Sequence, residues 1–338
     1  MSVLNPFKNP WFSMTSLTGV VEKVDFVPQY LGGLGIFNDD PVRTYDLFVD
    51  RSDQGLTLVP TSELGAPPDE LDRDQRDVVT LRIPRIAQSF TLHTHELIGL
   101  RGFGTEGTFQ NYQVEYIKRF DKMRRRNDLT QEYHRLGAVQ GLVLDADGTR
   151  VIHDSFDAFG VPRPAGIDFP FSDADADIRQ VCHNIVRDVV RSSRGAMTGQ
   201  SRIHSICGDE FYDSLITHPS VSKYYLQWSA AQELKEQGPF EAFTFGKITF
   251  HNYRGTDDKS TVSVPDTQAK FFPVNADVFT RALGPSEFGG LINQPGREIY
   301  AYNLPDPSGR DAWTKGEVYN YPLHFCRRPD LLREGVAT

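Results

Sequence analysis

The stretch from Thr108 to Gly148 reads TFQNYQVEYIKRFDKMRRRNDLTQEYHRLGAVQGLVLDADG, and its reading decides the fold class. From Thr108 to Leu136 there is neither glycine nor proline, so nothing in the covalent chemistry interrupts a helix. Tyr112, Tyr116, Phe120 and Met123 form one apolar stripe, which Leu129, Tyr133 and Leu136 continue after a drift. At 1.5 Å per residue this is a rod of about 40 Å. Lys122, Arg124, Arg125 and Arg126 decorate it, either as a solvated face or as a face meeting an acidic neighbour. Leu142-Val-Leu144 and Val151-Ile152 then flank Asp145-Ala-Asp-Gly148, the pattern of a β-hairpin with an Asp-Gly turn.

Upstream, Asn5-Pro6, Asn9-Pro10 and Pro28 break residues 1–37 into an extended, loosely packed lead-in. Val42–Val49, Leu56–Val59, Val78–Ile83 and Ala87–Leu92 read as strands. Between them Thr61–Arg76, containing Gly65-Ala-Pro-Pro68, reads as the polar tip of a long two-stranded excursion. A hairpin of that length needs a neighbour to lie on, in the same chain or in another copy.

Downstream, Ile178, Val181, Cys182, Ile185, Val186, Val189 and Val190 fall at helical spacing, giving a buried stripe over Asp177–Arg194 with Gly195 as C-cap. Arg202–Gln237 reads as helix broken at His218-Pro219, and Phe243–Tyr253 as a single strand. Ala269–Pro273, Glu298–Tyr302 and Glu317–Phe325 are strand-like. A long helix followed by mixed helix and strand gives an α+β protein.

The 338 residues permit one to three domains. Phe (23) and Tyr (13) supply large contact areas, for packing between subunits or for a well-filled core. A formal net charge of −9 argues against a protein that grips nucleic acid by its phosphates. No apolar run is long enough to span a bilayer, and Met1–Thr18 lacks the apolar region of a signal peptide. Cys182, Cys207 and Cys326, odd in number and far apart, imply a reducing compartment.

Motifs of catalysis fail in context. Gly102-Phe-Gly104-Thr-Glu-Gly107 is a literal G-x-G-x-x-G with Asp128 beyond it, but no buried strand precedes it and no second βαβ unit follows. It reads as a hinge into the long helix. His93-Thr-His95-Glu96 lacks a third ligand at motif spacing, although His134 and His153 exist. Asp145-Ala-Asp-Gly148 lacks the carboxylate at the twelfth loop position, where Phe156 stands, and Asp173/Asp175/Asp177 lacks the central glycine of a calcium loop. Turn and helix-cap roles suffice, so no cofactor, metal or catalytic residue is expected.

The order of parts, with several short stretches, resembles the lambda-type major capsid proteins of tailed bacteriophages, the phage capsid E family. The stretches are Leu34-Gly-Ile-Phe37 with Arg43-Thr44, Leu58-Val-Pro-Thr61, Gly65-Ala-Pro67 and Ile83-Pro84. The strongest runs from Asp128 to Asp147, with His134-Arg-Leu-Gly137 and Gly141–Gly148, and Arg328-Pro-Asp-Leu-Leu332 closes the chain. The resemblance implies the α+β Hong Kong 97-type capsid fold. Residues 1–37 would be an N-terminal arm and 38–100 an extended β-hairpin loop over the adjacent subunit. Residues 101–154 would hold the peripheral domain with its spine helix, 155–310 the axial domain, and 311–338 a terminal strand and tail rejoining the peripheral domain.

The resemblance implies a self-assembling head protein, not an enzyme, forming hexamers and pentamers around double-stranded DNA in the virion. Assembly would occur in the host cytoplasm with scaffolding and portal proteins, with a decoration protein as a further partner and no membrane. An encapsulin-like nanocompartment shell is the alternative. Candidate intersubunit contacts are Leu34, Phe37, Arg43, Pro67, Arg124, Arg125 and Arg126, and the candidate hinge is Gly102, Gly104 and Gly107. Some shells of this fold are welded by a Lys–Asn bond from the extended loop. Here no lysine lies between Lys23 and Lys118, so the shell is expected to be held non-covalently.

Overall fold

The computed structural model describes residues 30–52, 76–97, 108–233, 242–253, 262–291, 293–310 and 312–338. Residues 1–29 of the expected arm, Leu56–Val59, the tip at 61–75 and the glycines of 102–107 lie outside the described residues.

The long helix, α1 (Thr108–Gln140), runs one turn beyond the expected end. It stops where Gly141 turns left-handed at φ +80; a Cβ there would meet the Phe156 ring at 2.3 Å, so glycine is needed for both conformation and space. Its first half packs on a sheet of order β13-β14-β4: Tyr300–Pro305, Trp313–Asn320 and Ile86–His93. Tyr116, Phe120 and Met123 meet Leu92, Ala301 and Val318 there, and Phe90 packs edge-on to Tyr116 and Phe120. Burying side chains of this size stabilises by about 1.5–3 kcal/mol each.

The second half of α1 lies against a sheet in which β1 (Phe37–Pro41) pairs in parallel with β12 (Phe279–Leu283), and β12 with β15 (Pro322–Cys326). The expected strand over 317–325 is thus two strands in different sheets, β14 and β15, broken at Tyr321. The Asp-Gly hairpin forms as expected from β5 (Leu142–Leu144) and β6 (Val151–Asp154).

A six-stranded sheet of order β7-β16-β11-β8-β10-β9 builds the largest core. Its strands are Ile167–Phe169, Arg333–Ala337, Gln268–Val274, Arg202–Cys207, Ile248–Asn252 and Ala242–Phe245. Helix α2 (Ile178–Ser193) contributes Ile178, Cys182, Ile185 and Val189 to that core, the stripe its spacing predicts. Asp177 caps it by accepting the Gln180 N–H at 3.1 Å, and Arg194 takes the left-handed cap position, one residue before the expected Gly195. Helices α3 (Asp209–Thr217) and α4 (Pro219–Glu233) follow, parted at His218 as expected.

Two expectations are corrected here. Arg202–Cys207 is the strand β8, not helix: it sits between β10 and β11 with Ile203, Ser205, Ile206 and Cys207 buried, so burial on both faces erases a strand's alternation. Phe243–Tyr253 is not one strand but the hairpin β9–β10, turning on Gly246 (φ 57) and Lys247 (φ 69). A Cβ on Gly246 would stand 2.5 Å from the Cβ of Cys182. Gly246→Ala is therefore expected to cost about 2–4 kcal/mol from left-handed strain plus overpacking against α2. A fall below about 1 kcal/mol in urea denaturation would contradict this.

The excursion is the hairpin β2–β3, in which Asp46–Ser52 and Arg76–Arg82 pair antiparallel from Asp46↔Arg82 to Ser52↔Arg76. Leu47, Val49, Val79 and Leu81 face the core that holds Phe159, Leu291 and Tyr321. Of the 38–100 segment, β1 and β4 pair elsewhere, with β12 and β14. Of the 311–338 segment, β14 joins the sheet under α1, whereas β16 lies inside the six-stranded sheet.

Candidate assembly surfaces

Alternation on β2–β3 sends Phe48 and Val78 away from the core, and they are 64% and 55% exposed. Large apolar side chains are thus presented on an outer face of the hairpin, uncovered by the described residues.

Beside the hairpin root, the second half of α1 carries polar residues that the structure buries, Arg124 among them, whose cluster is expected as a solvated face or a face meeting an acidic neighbour. Arg124 is buried with Asp128 at 3.2 Å and reaches Glu298 at 3.6 Å. Burial outweighs the Arg124 guanidinium and lifts the Asp128 carboxyl above its ordinary range. Arg281, on β12, holds Asp39 of β1 through two hydrogen bonds of 2.6 Å and also donates to Gln131 and Glu298. Glu132 accepts the backbone N–H groups of Leu31 and Gly32 at 2.7 and 3.1 Å and the Tyr253 hydroxyl at 3.4 Å, and pairs with Arg135 at 3.2 Å. One carboxylate thereby ties the turn at 30–33, the six-stranded sheet's border and the spine helix together.

Between the hairpin root, α1 and the β5–β6 hairpin lies an open groove of about 1150 Å³. Arg82, Arg85, Arg126 and Arg150 line it, with Asp145 and Glu287 as the acids. Glu287 is held by Arg85 at 2.8 Å, and Arg150 stands 3.9 Å from Asp145. Leu129, expected on the buried stripe, instead opens into this groove with Val151 and Tyr45.

The expected contact residues separate accordingly. Arg43, Arg125 and Arg126 are exposed, Arg125 pairing with Asp121 at 3.1 Å. Leu34 packs against the chain's own core, and Phe37 lies 5.3 Å from both Phe279, tilted, and His324, edge-on. Arg124 is buried within the chain, where Asp128 and Glu298 draw it inward. Pro67, Gly102, Gly104 and Gly107 lie outside the described residues.

The acidic runs act as caps: Asp147 accepts from the Thr149 and Arg150 amides at 2.9 and 3.0 Å, and Asp173 from Asp175 at 3.1 Å. His93 and His95 stack on one another, and Glu96 pairs with Arg119. No group of three or more His, Cys, Asp or Glu among the described residues is placed to hold a metal ion.

The model of the family described as phage major capsid protein E matches residues 13–337. The major capsid protein of Salmonella phage Felix O1 (isolate Felix O1-VT1) is 26% identical, over 95% of this chain and 95% of its own length. That of Pseudomonas phage KPP10 is 24% identical over 96% and 97%. Among solved structures, the putative capsid protein of a prophage of E. coli CFT073 superposes with a TM-score of 0.59 at 14% identity, covering 96% of this chain and 99% of its own. A chain of the mature capsid of bacteriophage PhiM1 gives 0.50 at 10% identity, over 93% and 88%. The fold is that of phage capsid chains, and the chain belongs to the phage major capsid protein E family.

Proposed function

We propose that this chain is the shell subunit of a tailed-phage head, assembling into hexamers and pentamers around double-stranded DNA. The observation that carries the reading is the family match along 13–337, with relatives named major capsid protein over nearly their full lengths. The exposed Phe48 and Val78 on a hairpin packed by one face only support it, since such a face is stabilised by a second copy. The chain works by association, not catalysis, in the virion after assembly in the host cytoplasm. Scaffolding and portal proteins, and a decoration protein, are its proposed partners. The nanocompartment reading has no comparable support, because both curated relatives are named for phage capsids.

Within this reading residues 1–37 are the arm, 38–100 the extended loop, 101–154 the spine-helix region, 155–310 the axial region and 311–338 the closing segment. Gly102, Gly104 and Gly107 form the hinge between loop and spine, and Arg43, Arg125, Arg126 and Pro67 contribute intersubunit contacts. Electron microscopy of the expressed protein tests the proposal: closed shells or hexamer sheets are expected, and a stable monodisperse monomer or dimer overturns it. Boiled, SDS-treated particles are expected to run as single chains, since the loop offers no lysine for a covalent weld. Ladders would contradict that.

A further inference from the structure

Helix α2 carries a second stripe opposite its buried one. Ile178, Cys182, Ile185 and Val189 enter the core, and the residues two places on stand about 200° further round the helix. These are Gln180, Asn184, Arg187 and Arg191, and Arg194 at the cap continues the row; all five are exposed. The first half is polar without charge, the Gln180 side-chain amide donating to Asn184 at 3.0 Å, and the second half is cationic. Among the described residues no carboxylate pairs with Arg187, Arg191 or Arg194. The acid within the helix, Asp188, is held instead by Arg333 at 2.6 Å. The negative end of the helix dipole accounts for Arg191 and Arg194, since it acts within the last turn. Arg187 lies before that turn, and its charge does no work in this fold.

We propose that this row faces the inside of the shell and touches the phosphates of the enclosed double-stranded DNA. The proposal rests on the shell reading above and names one face of the subunit within it.

Chemistry and shape select the partner. Guanidinium groups are suited to phosphate by their fork of donors. The DNA duplex carries one charge per about 1.7 Å of its axis, so several phosphates pass over the roughly 10 Å from Arg187 to Arg194. The row is a convex helix face with no apolar side chain in it, and Val190, 49% exposed, stands to its side. A peptide therefore finds no pocket there in which to anchor. The other cationic feature, the groove at the hairpin root, has charges already engaged, Arg85 by Glu287 and Arg150 by Asp145.

A chain of net charge −9 repels DNA as a whole, so contact is confined to this row. Such contact is weak in one copy and gathers strength by repetition over a shell. It reads no bases, which suits a container for whatever stretch of genome lies against it.

Retention of the unassembled subunit on immobilised double-stranded DNA, followed against salt, tests the chemistry. Each phosphate contact adds about 0.9 to the slope of log retention on log salt, so Arg187→Gln with Arg191→Gln is expected to make it shallower by about 1.8. Over a fourfold change of salt that is about a 12-fold smaller loss of retention. Arg187→Lys with Arg191→Lys keeps the charges and is expected to keep the slope. Asn184→Cys tests the direction in which the row points. The native Cys182, Cys207 and Cys326 are buried, and burial pushes the Cys182 and Cys207 thiols up to about 12, so the introduced thiol is the reactive one. Labelled there with a benzophenone, assembled, filled with DNA and irradiated, the protein is expected to join DNA. Shells that form while the slope is unchanged, or while the label joins only protein, overturn the assignment and leave the shell reading standing. So does an R187Q/R191Q protein that keeps its slope but no longer forms shells, which makes the row a subunit contact. A protein that stays monomeric under every assembly condition overturns both readings.

Discussion

Glu132→Ala is expected to lower the stability of the unassembled subunit by about 3–5 kcal/mol, the cost of leaving one partner of a buried ion pair behind. Glu132 is 3% exposed, and its carboxylate satisfies the amides of Leu31 and Gly32 as well as Arg135 and the Tyr253 hydroxyl. Truncation strands buried donors on three elements at once, and among the described residues Arg135 keeps the longer contact to Gln131 at 3.5 Å. Glu132→Gln retains an acceptor and is expected to lose less. Urea denaturation measures both, and proteolysis just before Tyr30 should quicken in the alanine variant because the turn at 30–33 loses its anchor. A loss under 1 kcal/mol with unchanged proteolysis would remove Glu132 from this role.

The second large effect is acid lability. His134 and His153 are buried and their imidazoles are depressed to about 4; His251, hydrogen-bonded to His204 at 3.2 Å, is depressed to about 3. His324 is fully buried between α1 and Phe37, with neither ring nitrogen hydrogen-bonded among the described residues, and burial holds it well below its ordinary value. The cations Arg135 and Arg281, with His134, push it further in the same direction. A histidine kept neutral by the fold takes its proton more readily once unfolded, so stability falls as pH drops below about 6.5. For His134 the loss is complete near pH 4, below which both states are charged, and amounts to about 3 kcal/mol for a depression of this size. Denaturation midpoints from pH 7.5 to 4 should follow that slope. His324→Leu should cost little at pH 7.5 and flatten the acid limb; an unchanged limb would assign the lability to other groups.

Legibility in the sequence divides along physical lines. Helix α2 was readable because a one-sided environment writes a one-sided stripe, as Ile178, Cys182, Ile185 and Val189 do. Strand β8 was not, because a central strand covered on both faces loses its alternation. The β9–β10 turn was hidden because Lys247, at positive φ, is not a residue that announces a turn. The polar anchors on α1 were the largest omission. Asp128, Gln131, Glu132 and Arg135 stand at the i, i+3, i+4, i+7 spacing of a buried stripe, and that spacing, read without regard to polarity, marks the packed face. The groove is hidden for the opposite reason: Leu129 is apolar and its place on the stripe points it inward, whereas tertiary packing leaves it open.

The strand order of the largest sheet also sets a timetable. β7 pairs with β16, and β16 in turn covers the edge of β11, yet β16 follows every other strand among the described residues. A ribosome adding about 5–20 residues per second needs roughly 10–30 s to pass from Phe169 to Ala337. For that interval β7 exists without the strand that seats it, and the growing chain holds an empty slot between two edges. Closure of the sheet therefore waits until the ribosome has passed Ala337, long after most of its strands have been made.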